Sequence, residues 1–511
     1  MDLAIGQAGS ATALRFGSGG AVKLPKTVIF EGVQHALAFG LAMAHNNQDY
    51  EPQNRDPHQP LGAHNRGRRP LGAIGVAGTC TARDTVAADT LLYTFRTSGT
   101  PIALVEVSPG LFWGLTANAP QIFSIDTTGT YNTIYTFQPG SGVQPTGLAP
   151  ALNASVYGGF GSLGTTTIAD LFAATLGGVV TLYPYNGVTQ GAPNGVVQYP
   201  DNNLYSIFAA NGTSVPVFTR VDYNGETTNL YTFPSSQGFP HTPFVGLDGN
   251  FYGLTLMNNT TQLGIYRLTS SGAFSWVVPS MPTGKYGDNN WLIALIQATN
   301  GKFYGTLPQG GNANAGTIYE ANLSGQYKTI YEFHNEQLGI PETLMEASDG
   351  MIYGTARGLF GGGYTGYSSV FQVNPKTGKF KTIYNFTDAL IAECECTLVQ
   401  GTDGKLYGAD FNGGTYVGGT IFVMDLGLPK PLPHVGNVIP QSGRVGQSIL
   451  LFGDGFLGTT AVSFDGTPAT TFTVPSHQGI WATVPSGATT GPITVTTPNG
   501  SFTTKISFTV Q

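Results

Sequence analysis

Short stretches of alternating apolar and polar residues recur from about Leu91 to Leu426, separated by clusters of Gly, Asn, Asp and Pro. An alternation with a period of two predicts strands with one face buried. One phrase marks each unit: SDGMIYGTARG (Ser348–Gly358), TDGKLYGAD from Thr402, TNGKFYGTL from Thr299 and LDGNFYGLT from Leu247. Looser copies are NLYSI from Asn203, SVYGGF from Ser155 and GLFWGLT from Gly110. An Asp-Gly or Asn-Gly pair between two such runs is a strong hairpin signal. The phrase therefore predicts the first turn and second strand of a unit. Its Tyr or Phe is expected to fill a gap between units, and the next Gly to allow a close approach.

The central aromatics Trp113, Tyr157, Tyr205, Tyr252, Tyr304, Tyr353 and Tyr407 set a period near 50 residues, which is the mark of a β-propeller. Each unit carries four strand signals. The first is of the kind ETLMEA (Glu342–Ala347) or CTLVQG (Cys396–Gly401), and the second is the phrase itself. The third is TIYEAN (Thr317–Asn322), SVFQVN (Ser369–Asn374) or TIFVMD (Thr420–Asp425). The fourth is KTIYEF (Lys328–Phe333), KTIYNF (Lys381–Phe386) or TNLYTF (Thr228–Phe233). The last unit lacks a fourth signal, and a spare one, LLYTF (Leu91–Phe95), stands at the front. The expectation is an all-β chain: a seven-bladed β-propeller over 89–428, closed by an N-terminal strand that removes the open sheet edges.

Two further regions flank the repeats. Residues 1–88 hold eight of the 22 Lys and Arg and four of the eight His with little alternation, and read as a disordered extension or a misassigned start. RGRRPLGAIGVAGTC (Arg66–Cys80) only faintly resembles an export signal. No run approaches the roughly 20 apolar residues of a membrane helix. Charged residues are 10% of the 511, Gly numbers 72 and the net charge is −7, so nothing here is a footprint for nucleic acid. Three Cys exclude a disulfide scaffold, and the Cys394–Cys396 pair reads as strand packing.

The phrases that carry Asp349-Gly350, Tyr353-Gly354-Thr355, Gly361-Gly362, and Gly339 with Pro341 resemble the bacterial GloVer tandem repeat. The early copies depart from it, with Trp113 for Tyr, Ser206 for Gly and no Asp-Gly turn. The resemblance implies an exported or surface-associated bacterial protein and supplies no activity. The segment 433–511 resembles an IPT/TIG domain, an immunoglobulin-like sandwich, through IPQSGRVGQSILLFGDGFLG (Ile439–Gly458), VSFDGTPAT (Val462–Thr470) and VPSGATTGPITVTTPNG (Val484–Gly500). Some relatives of that domain bind DNA. Here Arg444 and Lys505 are balanced by Asp454 and Asp465, which argues against it.

No phosphate loop, nucleophile elbow, zinc helix or EF-hand loop occurs. SIDTTG (Ser124–Gly129) only approximates the Ser-x-Asp-x-Gly box of sialidase-like propellers. Glu332, Glu336, Asp288, Glu393, Glu395 and Asp410 form no paired motif, so no catalytic residue, metal ligand or cofactor is expected. His58 and His64 lack ligand partners. Long connections fall on one face, where binding surfaces commonly form. Their aromatics sit beside polar residues that suit sugar rings, giving a candidate ligand face of Tyr286, Asp288 and Trp291, then Arg357, Tyr364 and Tyr367, then Asp410, Phe411 and Tyr416. The bland alternative is that these rings fill loop interiors. The leading expectation is a secreted or cell-surface, non-catalytic, monomeric binding protein for an extracellular glycan or protein. A polysaccharide-acting enzyme with carboxylates in the channel, and a purely structural array, are the alternatives.

Overall fold

A computed structural model describes residues 89–511 apart from 97–98, 138–142, 152–154, 163–168, 176–179, 186–191, 194, 200, 210–214, 223, 257–261, 283–293, 308–310, 313–314, 335–339, 358–359, 362–363, 366–367, 387–396 and 412–417. The N-terminal extension expected over 1–88 lies outside the described residues, as do Cys394 and Cys396.

The described chain is all-β, and its repeated four-position antiparallel sheets form a β-propeller. Sheet 1 joins Pro101–Ser108, Leu111–Thr116, Gln121–Asp126 and Tyr131–Thr136 in chain order. Sheet 2 joins Val143–Pro150, Ser155–Ser162, Ala169–Thr175 and Val180–Tyr185. In sheets 3 and 4 the first position is split. Sheet 3 has Ala192–Pro193 and Val197–Gln198 there, then Leu204–Ala209, Val217–Val221 and Thr227–Thr232. Sheet 4 has Phe239–Pro240 and Phe244–Val245, then Phe251–Leu256, Gln262–Leu268 and Phe274–Pro282. Sheet 5 runs Leu295–Gln297, Phe303–Leu307, Thr317–Ala321, Tyr327–Glu332. Sheet 6 runs Ile340–Glu346, Ile352–Arg357, Ser369–Val373, Phe380–Asn385.

Sheet 7 supplies only Thr397–Gln400, Leu406–Asp410 and Thr420–Met424 from its own stretch. Its fourth position is Asp89–Thr94, antiparallel to Thr420–Met424 with Asp89 opposite Met424 and Thr94 opposite Thr420. Tyr93 of this strand stacks on Tyr131 of sheet 1, with centroids 4.3 Å apart and planes at 9°. Tyr231 on Phe274 (4.8 Å, 8°) and Tyr331 on Phe380 (4.0 Å, 9°) repeat that contact between later neighbours. The N-terminal strand thus meets sheet 1 as other fourth strands meet the sheet after them.

The recurring phrase is a structural device. Asp349 accepts the Met351 N–H through Oδ1 (3.0 Å) and the Tyr353 hydroxyl through Oδ2 (3.0 Å), so one carboxylate fixes both the turn and the ring. Asp403 treats Lys405 and Tyr407 the same way, and Asp248 does so for Asn250 and Tyr252. Sheet 3 keeps the device without the expected Asp-Gly pair. Asp201 binds the Asn203 N–H and the Tyr205 hydroxyl, while Asn202 takes the left-handed conformation (φ 65°) that glycine supplies elsewhere. The Tyr rings then bridge sheets: Tyr407 packs on Phe112 (4.2 Å), Tyr205 on Phe251 (4.7 Å) and Tyr252 on Phe303 (4.8 Å). The glycine after the Tyr is required because a Cβ on Gly354 would strike the Phe371 ring.

A second set of bonds ties sheets 4 to 5, 5 to 6, 6 to 7 and 7 to 1 at the ends of the first strands. The Leu247 N–H donates to Gln297 Oε1 (2.8 Å), and the Ser348 N–H to Gln400 Oε1 (2.8 Å). Thr299 donates its N–H (2.7 Å) and hydroxyl (3.0 Å) to Glu346. Thr402 of sheet 7 donates its N–H and hydroxyl, both at 2.9 Å, to Glu106 of sheet 1. Glu serves where the partner is Thr with two donors. Gln serves where its own amide also donates to the turn, at Gly301 O and Gly404 O.

The C-terminal region forms two more sheets. One orders His434–Ile439, Ser448–Asp454, Gly479–Thr483 and Phe472–Ser476; the other orders Ser442–Gly443, Gly500–Val510, Gly491–Thr497, Ala461–Phe464 and Thr467–Pro468. Their facing side chains, among them Ile449, Leu451, Ile480, Phe464, Ile493 and Phe508, make one buried core. This region touches first-turn hairpins of the propeller. Asn499 donates to Thr402 O (3.0 Å) and Pro431 O (3.1 Å), Gln400 donates to Pro429 O (3.2 Å), and Ser348 also bonds Pro429 O. The Asn437 amide lies beside Gly249, Leu247 lies beside Gly436, and Pro109 lies beside Gly458. The contacts therefore reach turns of sheets 1, 4, 6 and 7.

Two outcomes are expected. Phe95 is 4% exposed and sits edge-on to Tyr93, Phe123 and Tyr131. Phe95→Ala should cost about 3–5 kcal/mol in chemical denaturation, and an unchanged midpoint would show that the N-terminal strand adds nothing to closure. Glu106 accepts the Gly110 and Thr402 N–H groups on its two oxygens. Either amide orientation of Glu106→Gln sets an NH2 against an N–H, so the variant should lose about 1–3 kcal/mol by the same measurement.

Candidate functional site

The first strand of each sheet pairs on one side only, and such an edge tolerates proline. In sheet 6 the register slips between Pro341 and Thr343, because Pro341 faces Ala356 while Thr343 faces Thr355. Glu342 is the extra residue of that bulge, a place where strands commonly re-aim a side chain. Sheets 1 and 2 slip likewise after Pro101 and Pro145.

Glu342 lines a cavity of about 360 Å3 between the first strands of sheets 4 to 7, together with His241, Thr242, Leu295, Thr343, Leu344 and Thr397. The Glu342 Oε1 meets Arg357 Nε at 3.0 Å, with side-chain exposures of 2% and 10%. Thr343 and Thr355 share a hydroxyl hydrogen bond of 2.7 Å. The Thr397 Oγ1 is buried with no hydrogen-bond partner among the described residues. His241 is pinned through its backbone: its N–H donates to Leu254 O (2.7 Å), and its carbonyl accepts the Tyr266 hydroxyl (2.7 Å). Burial pushes the His241 imidazole below its ordinary pKa, so it is neutral at pH 7. Among the described residues Glu342 is balanced by Arg357, so the described lining carries no net charge and mixes hydroxyls with aliphatic surface.

The residues expected to bind ligand are distributed differently. Arg357 is not a loop residue: it ends the second strand of sheet 6, is buried, and acts on the cavity through Glu342. Asp410 likewise ends a strand, 1% exposed and opposite Thr420, while Phe411 follows it half-buried. Tyr364 lies in a small ribbon in which Phe360–Gly361 pairs with Tyr364–Thr365. Tyr286, Asp288, Trp291, Tyr367 and Tyr416 lie outside the described residues, as do Glu336, Glu393 and Glu395. Glu332 accepts from Asn312 at a loop. Asp126 of SIDTTG holds the turn between third and fourth strands, accepting from Thr128 and Thr130, and those bonds lower its pKa to about 2. Sequence reasoning missed Glu342, His241, Thr242, Thr343 and Thr397 as site residues. The available signal was a polar residue beside proline in a first strand.

Among the described residues no group of three His, Cys, Asp or Glu could hold a metal ion. No described helix is long and apolar enough to cross a membrane.

The family described as Gloeobacter/Verrucomicrobia repeat matches residues 239–472. None of the curated proteins matches the chain. Solved structures similar to it include a streptogramin B lyase (14% identity, TM-score 0.49, 66% of this chain and 97% of that one). An oligogalacturonate lyase from Vibrio parahaemolyticus is similar at 11% identity and TM-score 0.41, over 67% of this chain and 94% of that one. A fungal alcohol oxidase of the AA5 family is similar at 12% identity and TM-score 0.45, over 83% and 100%.

Removing one partner of a buried ion pair costs about 3–5 kcal/mol, whereas replacing both by apolar groups is often neutral. Arg357→Leu should therefore destabilise by that amount, and Glu342→Leu with Arg357→Leu should recover most of it. A double-variant loss equal to the sum of the two single losses would show that the pair does not act as a unit.

Proposed function

We propose that this chain is a non-catalytic binding protein of the bacterial exterior, a seven-bladed propeller followed by an IPT/TIG-like immunoglobulin domain. The propeller holds an extracellular glycan or protein at its long-connection end, and the C-terminal domain serves as spacer or second contact. The cavity between the first strands carries this reading. It joins placed hydroxyls to aliphatic surface, the usual make-up of a ligand site, while the C-terminal region occupies hairpins at the other end.

Binding is favoured over hydrolysis by the cavity's single carboxylate among its described lining residues. Glycoside hydrolysis needs two, about 5–9.5 Å apart, and Glu342 is already held by Arg357. The ligand contacts proposed on this reading are the aromatics Tyr286, Trp291, Tyr364, Tyr367, Phe411 and Tyr416, with Asp288.

The test is a glycan-array screen of the full chain, followed by titration of any hit. Trp291→Ala with Tyr364→Ala and Tyr416→Ala should weaken binding by about tenfold or more, since interface aromatics often contribute 2 kcal/mol, with little change in melting temperature. Release of new reducing ends from a bound glycan would instead make the protein an enzyme.

A further inference from the structure

We propose that the cavity is a blind pocket that takes the terminal ring of a neutral glycan end-on, rather than an internal segment of the chain. This rests on the glycan form of the function proposed above.

Three observations carry it. The first is closure at one end. Linker and C-terminal contacts fall on Leu247 and Gly249 of sheet 4, Ser348 of sheet 6, Gln400 and Thr402 of sheet 7, and Pro109 of sheet 1. In a ring that runs from sheet 4 through 6 and 7 to 1, these turns stand on opposing sides of the axis. A body that touches both sides lies across the mouth between them, so a polymer cannot thread through.

The second is charge. Glu342 and Arg357 cancel, and burial keeps His241 neutral. Moving a uronate or sialate carboxylate out of water into such a site would leave it unpaired, at a large desolvation penalty. A neutral polyol meets no such penalty.

The third is size and pattern. About 360 Å3 lies at the small end of ligand sites and suits one or two rings. The hydroxyls of Thr242 and Thr343, both partly exposed, can meet sugar hydroxyls. Leu295 and Leu344 offer aliphatic surface for a ring's C–H face.

The experiment is calorimetry on the full chain with linear neutral oligosaccharides from tri- to hexasaccharide, of the cellulose, maltose, chitin and mannan types, and with sialylated glycans for comparison. End-on binding predicts that affinity per chain is flat beyond the trisaccharide and that sialylated termini are rejected. Thr343→Phe, which fills the cavity, should weaken binding by about tenfold or more. If it lowers the melting temperature, the isosteric Thr242→Val decides instead. Affinity that climbs with chain length, a preference for sialylated ends, or full affinity in a folded cavity variant would overturn the pocket while leaving glycan binding intact. No binding to any of these oligosaccharides overturns the pocket, and an array without hits would remove the reading beneath it as well.

Discussion

Every sheet of the propeller is finished by a neighbour. The hydrogen bonds from Leu247, Thr299, Ser348 and Thr402 to Gln297, Glu346, Gln400 and Glu106 hold the ends of the first strands together. A lone four-stranded sheet would expose both faces and both edges to water and to other chains. Lateral joining answers the faces through the Tyr–Phe contacts and the edge of sheet 7 through Asp89–Thr94.

The same joining creates the site. Because the joints lie at the turn ends of the first strands, those strands keep one unpaired edge facing the space between sheets. That freedom admits Pro341 and the bulge that turns out Glu342. The scaffold's rigidity and the cavity's chemistry are thus products of one arrangement, with the recurring geometry of the phrase behind it and an irregular residue in front.

Much of the fold was legible because strands and hairpins depend on local signals. The period-two runs, the Asp-Gly turns and the spare LLYTF strand each correspond to an element of the structure. The Asp201-Asn202 turn was harder to see, since Asn reaches a left-handed φ only in suitable contexts. The candidate site was mostly illegible. Arg357 and Asp410 were placed in loops from composition, whereas strand pairing carries both into the sheet interior. Glu342 looked like an ordinary polar position of ETLMEA, because a bulge is a property of two strands in register and not of either one alone.

The joints between sheets are not interchangeable. Thr meets Glu at two of them, and Leu or Ser meets Gln at two others. Loss of sheet 6 would bring Thr299, with two donors, to Gln400, whose amide already donates to Gly404. Tandem arrays change length most easily when every junction is identical. Here the two kinds of pair alternate over the junctions from sheet 4 to sheet 1, so the order of those repeats is written into side chains at the joints.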